Sequence, residues 1–137
     1  MSSDKLISVL IPMKNESDGI LILFSQLIPI LKSLPINYEL IAINDGSSDN
    51  TLELLINEKH NCPELKILDL SRNFGKEAAL YAGFKHSTGD CAIAIDADLQ
   101  DPPELIAEMV QFWLEGYEVV TAVRKSRDND SLIKRKT

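Results

Sequence analysis

Short runs of apolar residues, each closed by a polar cluster, alternate along the chain with stretches of helical periodicity. Residues 6–11 (LISVLI) form the first run, rich in the β-branched side chains that suit a buried strand. Asn15-Glu16-Ser17-Asp18 has capping character and leads into a helical stretch over 20–34, which Pro29 is expected to kink or split. A second strand follows over 38–43 (YELIAI), then a helix through Leu52, Leu55 and Ile56 capped by Ser48 or Asp49. Residues 65–70 (LKILDL) give a third strand. Residues 76–86 give a helix with Ala79, Leu80 and Gly83 on one face, and 91–95 (CAIAI) a fourth strand. Pro102-Pro103 opens a further helix that should bury Leu105, Ile106, Met109, Val110 and Trp113, since proline is tolerated in a first turn. Gly116 ends it, and 118–123 reads as a fifth strand.

Strands separated by helices require crossover connections, so the pattern predicts an α/β fold with a mainly parallel sheet. Nearly continuous apolar strands are expected when helices cover both faces. At 137 residues the chain suits one domain with one core. Ligands of open parallel sheets bind outside the carboxyl ends of the strands. Here each of the first four strands is followed by a polar loop: Pro12-Met13-Lys14-Asn15-Glu16, Asn44-Asp45-Gly46-Ser47-Ser48-Asp49, Ser71-Arg72-Asn73-Phe74-Gly75-Lys76, and Asp96-Ala97-Asp98-Leu99-Gln100-Asp101. Four such loops on one edge point to a site.

Composition narrows its chemistry. The net charge of −7 makes nucleic acid an unfavourable partner. Residues 124–137 carry six basic and two acidic side chains, +4 against −11 for the rest. A basic tail on an acidic body fits a membrane-edge contact, or simply a solvated terminus. The division expected is therefore a core over 1–123 and a basic segment over 124–137. Two cysteines, Cys62 and Cys91, without CxxC spacing fit free thiols in a reducing compartment. The polar N-terminus is no secretory signal, and no stretch approaches the ~20 apolar residues of a membrane span. His60 and His86 are isolated, each near a predicted helix end.

The pair Asp96-x-Asp98 at the end of an apolar strand can serve Mg²⁺ or Mn²⁺ together with phosphate oxygens. Acidic pairs also cap helices, and Asp98 or Asp101 could do so before Pro102. In Asp45-Gly46-Ser47-Ser48-Asp49, turn and cap roles account for the glycine, the serines and Asp49. They leave Asp45 free to accept a hydrogen bond from a base or ribose. Glu16 fits a first-turn helix acid. Arg72 and Lys76 are either solvated or offered to a diphosphate.

Together these strings resemble the family 2 inverting glycosyltransferases of Rossmann-like GT-A fold: P-x-x-N-E at Pro12 to Glu16, D-G-S-x-D at Asp45 to Asp49, and D-x-D at Asp96 to Asp98. Two longer strings, Arg72-Asn73-Phe74-Gly75-Lys76-Glu77 and Asp96 through Glu104, resemble the polyprenyl-phosphate transferases of the bactoprenol glucosyltransferase and dolichol-phosphate mannosyltransferase type. The resemblance implies a nucleoside-diphosphate sugar donor (UDP- or GDP-linked), a polyprenyl phosphate acceptor, and Mg²⁺ or Mn²⁺. It places Pro12, Asn15, Glu16, Asp45, Arg72, Lys76 and Asp96 at the nucleotide, and Gln100 at the sugar. Asp98 and Asp96 fall to the metal. Arg124, Arg127, Lys134 and Arg135 fall to the lipid phosphate. It also implies a cytoplasmic protein at the inner face of the membrane, a catalytic base beyond Thr137, and a chain that is the N-terminal portion of a longer parent. Met13 departs from the aromatic often found there.

Competing readings are a soluble family 2 transferase with a saccharide acceptor, and a binding-only or inactive fragment. A dinucleotide dehydrogenase would need a glycine-rich turn after the first strand, and Pro12 to Glu16 has none. A phosphoaspartyl enzyme resembling the dehalogenases would carry its acidic pair after the first strand rather than the fourth.

Overall fold

The computed structural model describes residues 4–98, 100, 102–116, 119–124 and 131–136. Four parallel strands, β1 (Leu6–Met13), β2 (Asn37–Asn44), β3 (Leu65–Asp69) and β4 (Cys91–Ala94), form one sheet in the order β3-β2-β1-β4. Three helices connect them: α1 (Ile20–Lys32), α2 (Thr51–Lys59) and α3 (Lys76–His86). A fourth, α4 (Glu104–Leu114), follows β4. The chain builds outward from β1 to β3, then returns to place β4 on the other side of β1. That reversal makes a topological switch point between β1 and β4, where such sheets open a crevice.

Pleating separates the two faces. Ile7, Val9, Ile11 and Met13 of β1 join Leu23 and Leu27 of α1, Leu55 of α2, and Ile106 and Val110 of α4 in the larger core cluster. Leu10, Ile41 and Ile43 point the other way and meet Ala79 of α3. Each fully buried aliphatic side chain contributes ~1.5–3 kcal/mol, so the sheet is fixed chiefly by these residues. Small residues let α3 approach closely: a Cβ added at Gly83 would lie 2.7 Å from Ile43 Cδ1. Trp113 is only half-buried, packed against the larger cluster with Lys5 Nζ 5.0 Å from its ring centre.

Pro29 neither splits nor ends α1, which runs through it. It lies in the last turns, where it deprives only the Ser25 carbonyl of a partner, and both residues are exposed to water. The expected fifth strand exists as β5 (Val119–Arg124), but outside the four-stranded sheet. It pairs antiparallel with β6 (Ser131–Lys136), a strand the sequence pattern did not predict. Only six residues separate β5 from β6, too few for a parallel crossover.

A polar knot fastens the edge of the sheet opposite the crevice. Glu39 is buried in β2 and accepts hydrogen bonds from the Ser8 hydroxyl, from Thr88 N at 2.7 Å and from the Thr88 hydroxyl. Lys66 of β3 completes it at 2.6 Å. Ser8 Oγ in turn accepts the Gly89 N–H at 2.9 Å, so β1, β2, β3 and the start of β4 meet at one carboxylate. Burial pushes the Glu39 carboxyl up, but Lys66, Ser8 and Thr88 outweigh it and hold the group at about 2, below its ordinary 4.5. A depressed folded-state value stabilises the fold above pH ~4.5, and that contribution is lost as pH falls toward 2. Discounted because the Lys66 side chain is 48% exposed, it amounts to roughly 2 kcal/mol. Denaturant unfolding should therefore show wild type losing about that advantage over Glu39→Gln between pH 7 and pH 2.5. A constant difference across that range would contradict it.

Candidate functional site

The loops after β1 and β2 are stitched together before any ligand arrives. Asn15 has positive φ (55°), a conformation that asparagine tolerates better than most residues. Its Oδ1 accepts Ser48 N at 2.8 Å and Asp49 N at 3.3 Å, while its own N–H donates to Ser47 Oγ. Glu16 N donates to Thr51 Oγ1 and Ser17 N to Asp49 Oδ2. Asp49 also accepts the Thr51 N–H at 3.0 Å, which is the capping role expected of it, one position before the Asn50 N-cap. The Thr51 hydroxyl and the Ser17 N–H hold the Asp49 carboxyl at about 2.

The loop after β3 docks onto this pair through Asp45. Its carboxylate is buried and accepts Phe74 N at 2.7 Å and Gly75 N at 3.0 Å. Gly46 lies directly beneath the same loop. At φ +70° its backbone approaches so closely that a Cβ would stand 2.3 Å from Asn73 N. Gly75 is the N-cap of α3, so Asp45 fixes where that helix begins and where Lys76 projects.

A cleft of about 470 Å³ opens at the carboxyl edge of the sheet. Pro12 and Met13 line it from the end of β1, Lys14 and Glu16 from the loop after it, Asp45 from the loop after β2, Asn73 and Gly75 from the loop after β3, Lys76 from the start of α3, and Asp96, Asp98 and Gln100 from the loop after β4. Lys76 Nζ pairs with Asp96 Oδ1 at 2.5 Å, and Asp96 and Asp98 together raise the Lys76 ammonium, the Asp96 hydrogen bond foremost. Gln100 Nε2 donates to Asp98 Oδ2 at 2.9 Å. Glu16 is raised first by burial, then by the negative charges of Asp98, Asp49 and Asp96. The cleft is therefore acidic, with Lys14 and Lys76 as its lining cations.

Among the described residues no three carboxylate, histidine or cysteine groups converge to enclose a metal ion. A hard cation such as Mg²⁺ is commonly held by one or two carboxylates, with phosphate oxygens and water completing its shell. Asp96 and Asp98 both line the cleft and supply two such carboxylates. The donor set suits an ion bound jointly with a phosphate ligand.

Residues 8–137 match the sequence profile of Glycosyl transferase family 2. The chain belongs to that family. An uncharacterized glycosyltransferase of Synechocystis sp. is 50% identical over 131 residues, which cover 96% of this chain and 41% of the relative. A bactoprenol glucosyl transferase of Shigella phage SfX is 40% identical over 131 residues, 96% of this chain and 43% of the relative. The chain thus spans about two fifths of the length of these curated relatives. A mannosyltransferase from Pyrobaculum calidifontis, solved in complex with GDP-Man and Mn²⁺, shares the fold at TM-score 0.75 and 21% identity, over 92% of this chain and 37% of that one. The four-stranded Rossmann-like sheet is accordingly that of the GT-A glycosyltransferases.

Within this family 2 chain, the predicted residues divide by position. Pro12, Glu16, Asp45, Lys76, Asp96, Asp98 and Gln100 converge on the cleft. Asn15 does not line it, because its side-chain oxygen is committed to the loop after β2. Arg72 also lies off the lining, with its guanidinium 4.7 Å from the centre of the Phe74 ring. Arg124 falls on β5, and Lys134 and Arg135 on β6. Arg127 and Asp101 lie outside the described residues. Lys14 was overlooked, although a cation between Pro12 and Glu16 in the same loop is a readable signal. The cysteines are free, and burial pushes both thiols up, Cys91 to about 11. His60 and His86 sit exposed at the ends of α2 and α3. No helix among the described residues is long and apolar enough to cross a membrane.

Proposed function

We propose that this chain forms the donor-binding part of an inverting glycosyltransferase that moves a sugar from UDP or GDP to a polyprenyl phosphate. The observation that carries the reading is an acidic cleft at the switch point, lined by Asp96 and Asp98 together with Lys14 and Lys76. An anionic cleft accepts an anionic diphosphate only if a cation stands between them. A divalent ion at Asp98 and Asp96 would also offset the charge developing on the diphosphate as it leaves.

The remaining roles follow from position. Pro12 and Met13 wall the base, and Glu16 and Asp45 lie at its polar edge. Lys76 lies within reach of the phosphates, and Gln100, beside Asp98, faces the sugar. The acceptor oxygen displaces the diphosphate in line, so the protein's contribution is positioning more than proton transfer. The polyprenyl acceptor is supported by the likeness to a bactoprenol glucosyl transferase. Arg124, Arg127, Lys134 and Arg135, in the segment 124–137, are the groups assigned to its phosphate at the inner membrane face, with 1–123 as the donor-binding core.

Calorimetric titration of the chain with UDP and GDP, with and without Mn²⁺, tests the reading. Affinity for one of them should rise with Mn²⁺, and Asp98→Ala should remove that gain, a loss of about tenfold or more. Asp98 is exposed, so the substitution should leave stability unchanged. Equal affinity in all four combinations would refute the metal-bridged donor site.

A further inference from the structure

Lys76 occupies a position that the proposed reading needs twice. Its ammonium sits 2.5 Å from Asp96 Oδ1, the carboxylate that would share the metal with Asp98. It is also a lining cation for the diphosphate. An ammonium paired with Asp96 competes electrostatically with any cation brought to the same carboxylate, and its side chain, 61% accessible, has room to swing away.

Resting on the donor-site reading above, we infer that Lys76 is an exchangeable counter-ion. It neutralises Asp96 in the empty cleft, and is displaced when the divalent ion arrives with its nucleotide. It then turns to the diphosphate. Two features of the fold favour this exchange. The first is anchoring: Asp45 fixes Gly75, the N-cap of α3, so the stem of Lys76 starts from a rigid point while its ammonium swings. The second is charge balance. Glu16, Asp96 and Asp98 line one cleft, and without Lys76 their repulsion would be opposed from the lining only by Lys14. The consequence is ordered loading. Metal alone must compete with Lys76, whereas metal with diphosphate gives the displaced ammonium a new partner.

The two roles predict opposite effects of one substitution. Lys76→Met removes the competitor, so Mn²⁺ should bind the nucleotide-free chain about two- to fivefold more tightly, the range an exposed ion pair supports. The same change removes a charged donor to the diphosphate, so UDP or GDP in saturating Mn²⁺ should bind about tenfold more weakly. Lys76→Arg should restore both values to near wild type. Mn²⁺ binding is read from loss of the free-ion electron paramagnetic resonance signal, nucleotide binding from calorimetry, and folding from circular dichroism. If Lys76→Met leaves Mn²⁺ affinity unchanged or weaker while wild type binds Mn²⁺, the exchange is wrong and the donor-site reading stands. If neither protein binds Mn²⁺ at millimolar concentration without nucleotide, the exchange is overturned, and the donor-site reading falls with it only if Mn²⁺ also leaves the affinity for UDP and GDP unchanged.

Discussion

Gly46→Ala should destabilise the chain by about 3 kcal/mol or more, measured by denaturant unfolding, because two separate costs coincide there. At φ +70° an L side chain is strained, for ~1–3 kcal/mol. The added Cβ would also stand 2.3 Å from Asn73 N, 2.6 Å from the Arg72 carbonyl carbon and 2.9 Å from Asn73 Cα. All three are main-chain atoms, so no rotamer change relieves the clash and the loop after β3 must lift. Gly116 supplies the control. It too has positive φ, 106°, but no atom of the described residues lies within 4 Å of a Cβ there. Gly116→Ala should therefore show strain alone, about 1–2 kcal/mol. If the two variants differed by less than ~1 kcal/mol, the loop would be softer than its close approach implies.

That contrast also marks the limit of what the residues reveal in order. The apolar runs located all four strands of the parallel sheet within one or two residues, because buried strands with helices on both faces leave an unbroken hydrophobic record. The polar loops behind them located the cleft, since the carboxyl edge is fixed by strand direction. Gly46 was legible as a residue of unusual backbone angle. Its contact with Asn73 was not, because that depends on how loops 27 residues apart in the chain dock. Glu39 left a trace, a lone acid inside YELIAI, but its partners Ser8, Lys66 and Thr88 come from three other elements. Asn15, placed at the nucleotide by resemblance, joins two loops through its side-chain oxygen, since a side-chain amide serves either purpose equally well. β6 was missed because Ser131 to Lys136 is mostly polar and carries no alternating apolar pattern.

Asp45 separates the same two purposes by experiment. Its carboxylate is buried and already accepts two backbone N–H groups, from Phe74 and Gly75. Removing it in Asp45→Ala strands the Phe74 donor, worth ~1–3 kcal/mol when left unpaired, and leaves Gly75 N only its 3.1 Å bond to Asn73 Oδ1. Because those bonds are partly shielded from water, the expected loss is about 2 kcal/mol. Asp45→Asn keeps one acceptor oxygen but presents an NH₂ group to the other N–H, so it should lose roughly half as much or more. Nucleotide affinity should fall in both variants, since freeing Gly75 loosens the first turn of α3 and with it Lys76. The link between stability and binding is what distinguishes an anchor from a contact. Asp98→Ala should weaken metal-dependent binding with no change in the unfolding midpoint, whereas the Asp45 variants should shift both together. An Asp45→Asn protein with wild-type stability and lost nucleotide binding would mean that the carboxylate serves the ligand directly, and that the loop after β3 holds its place without it.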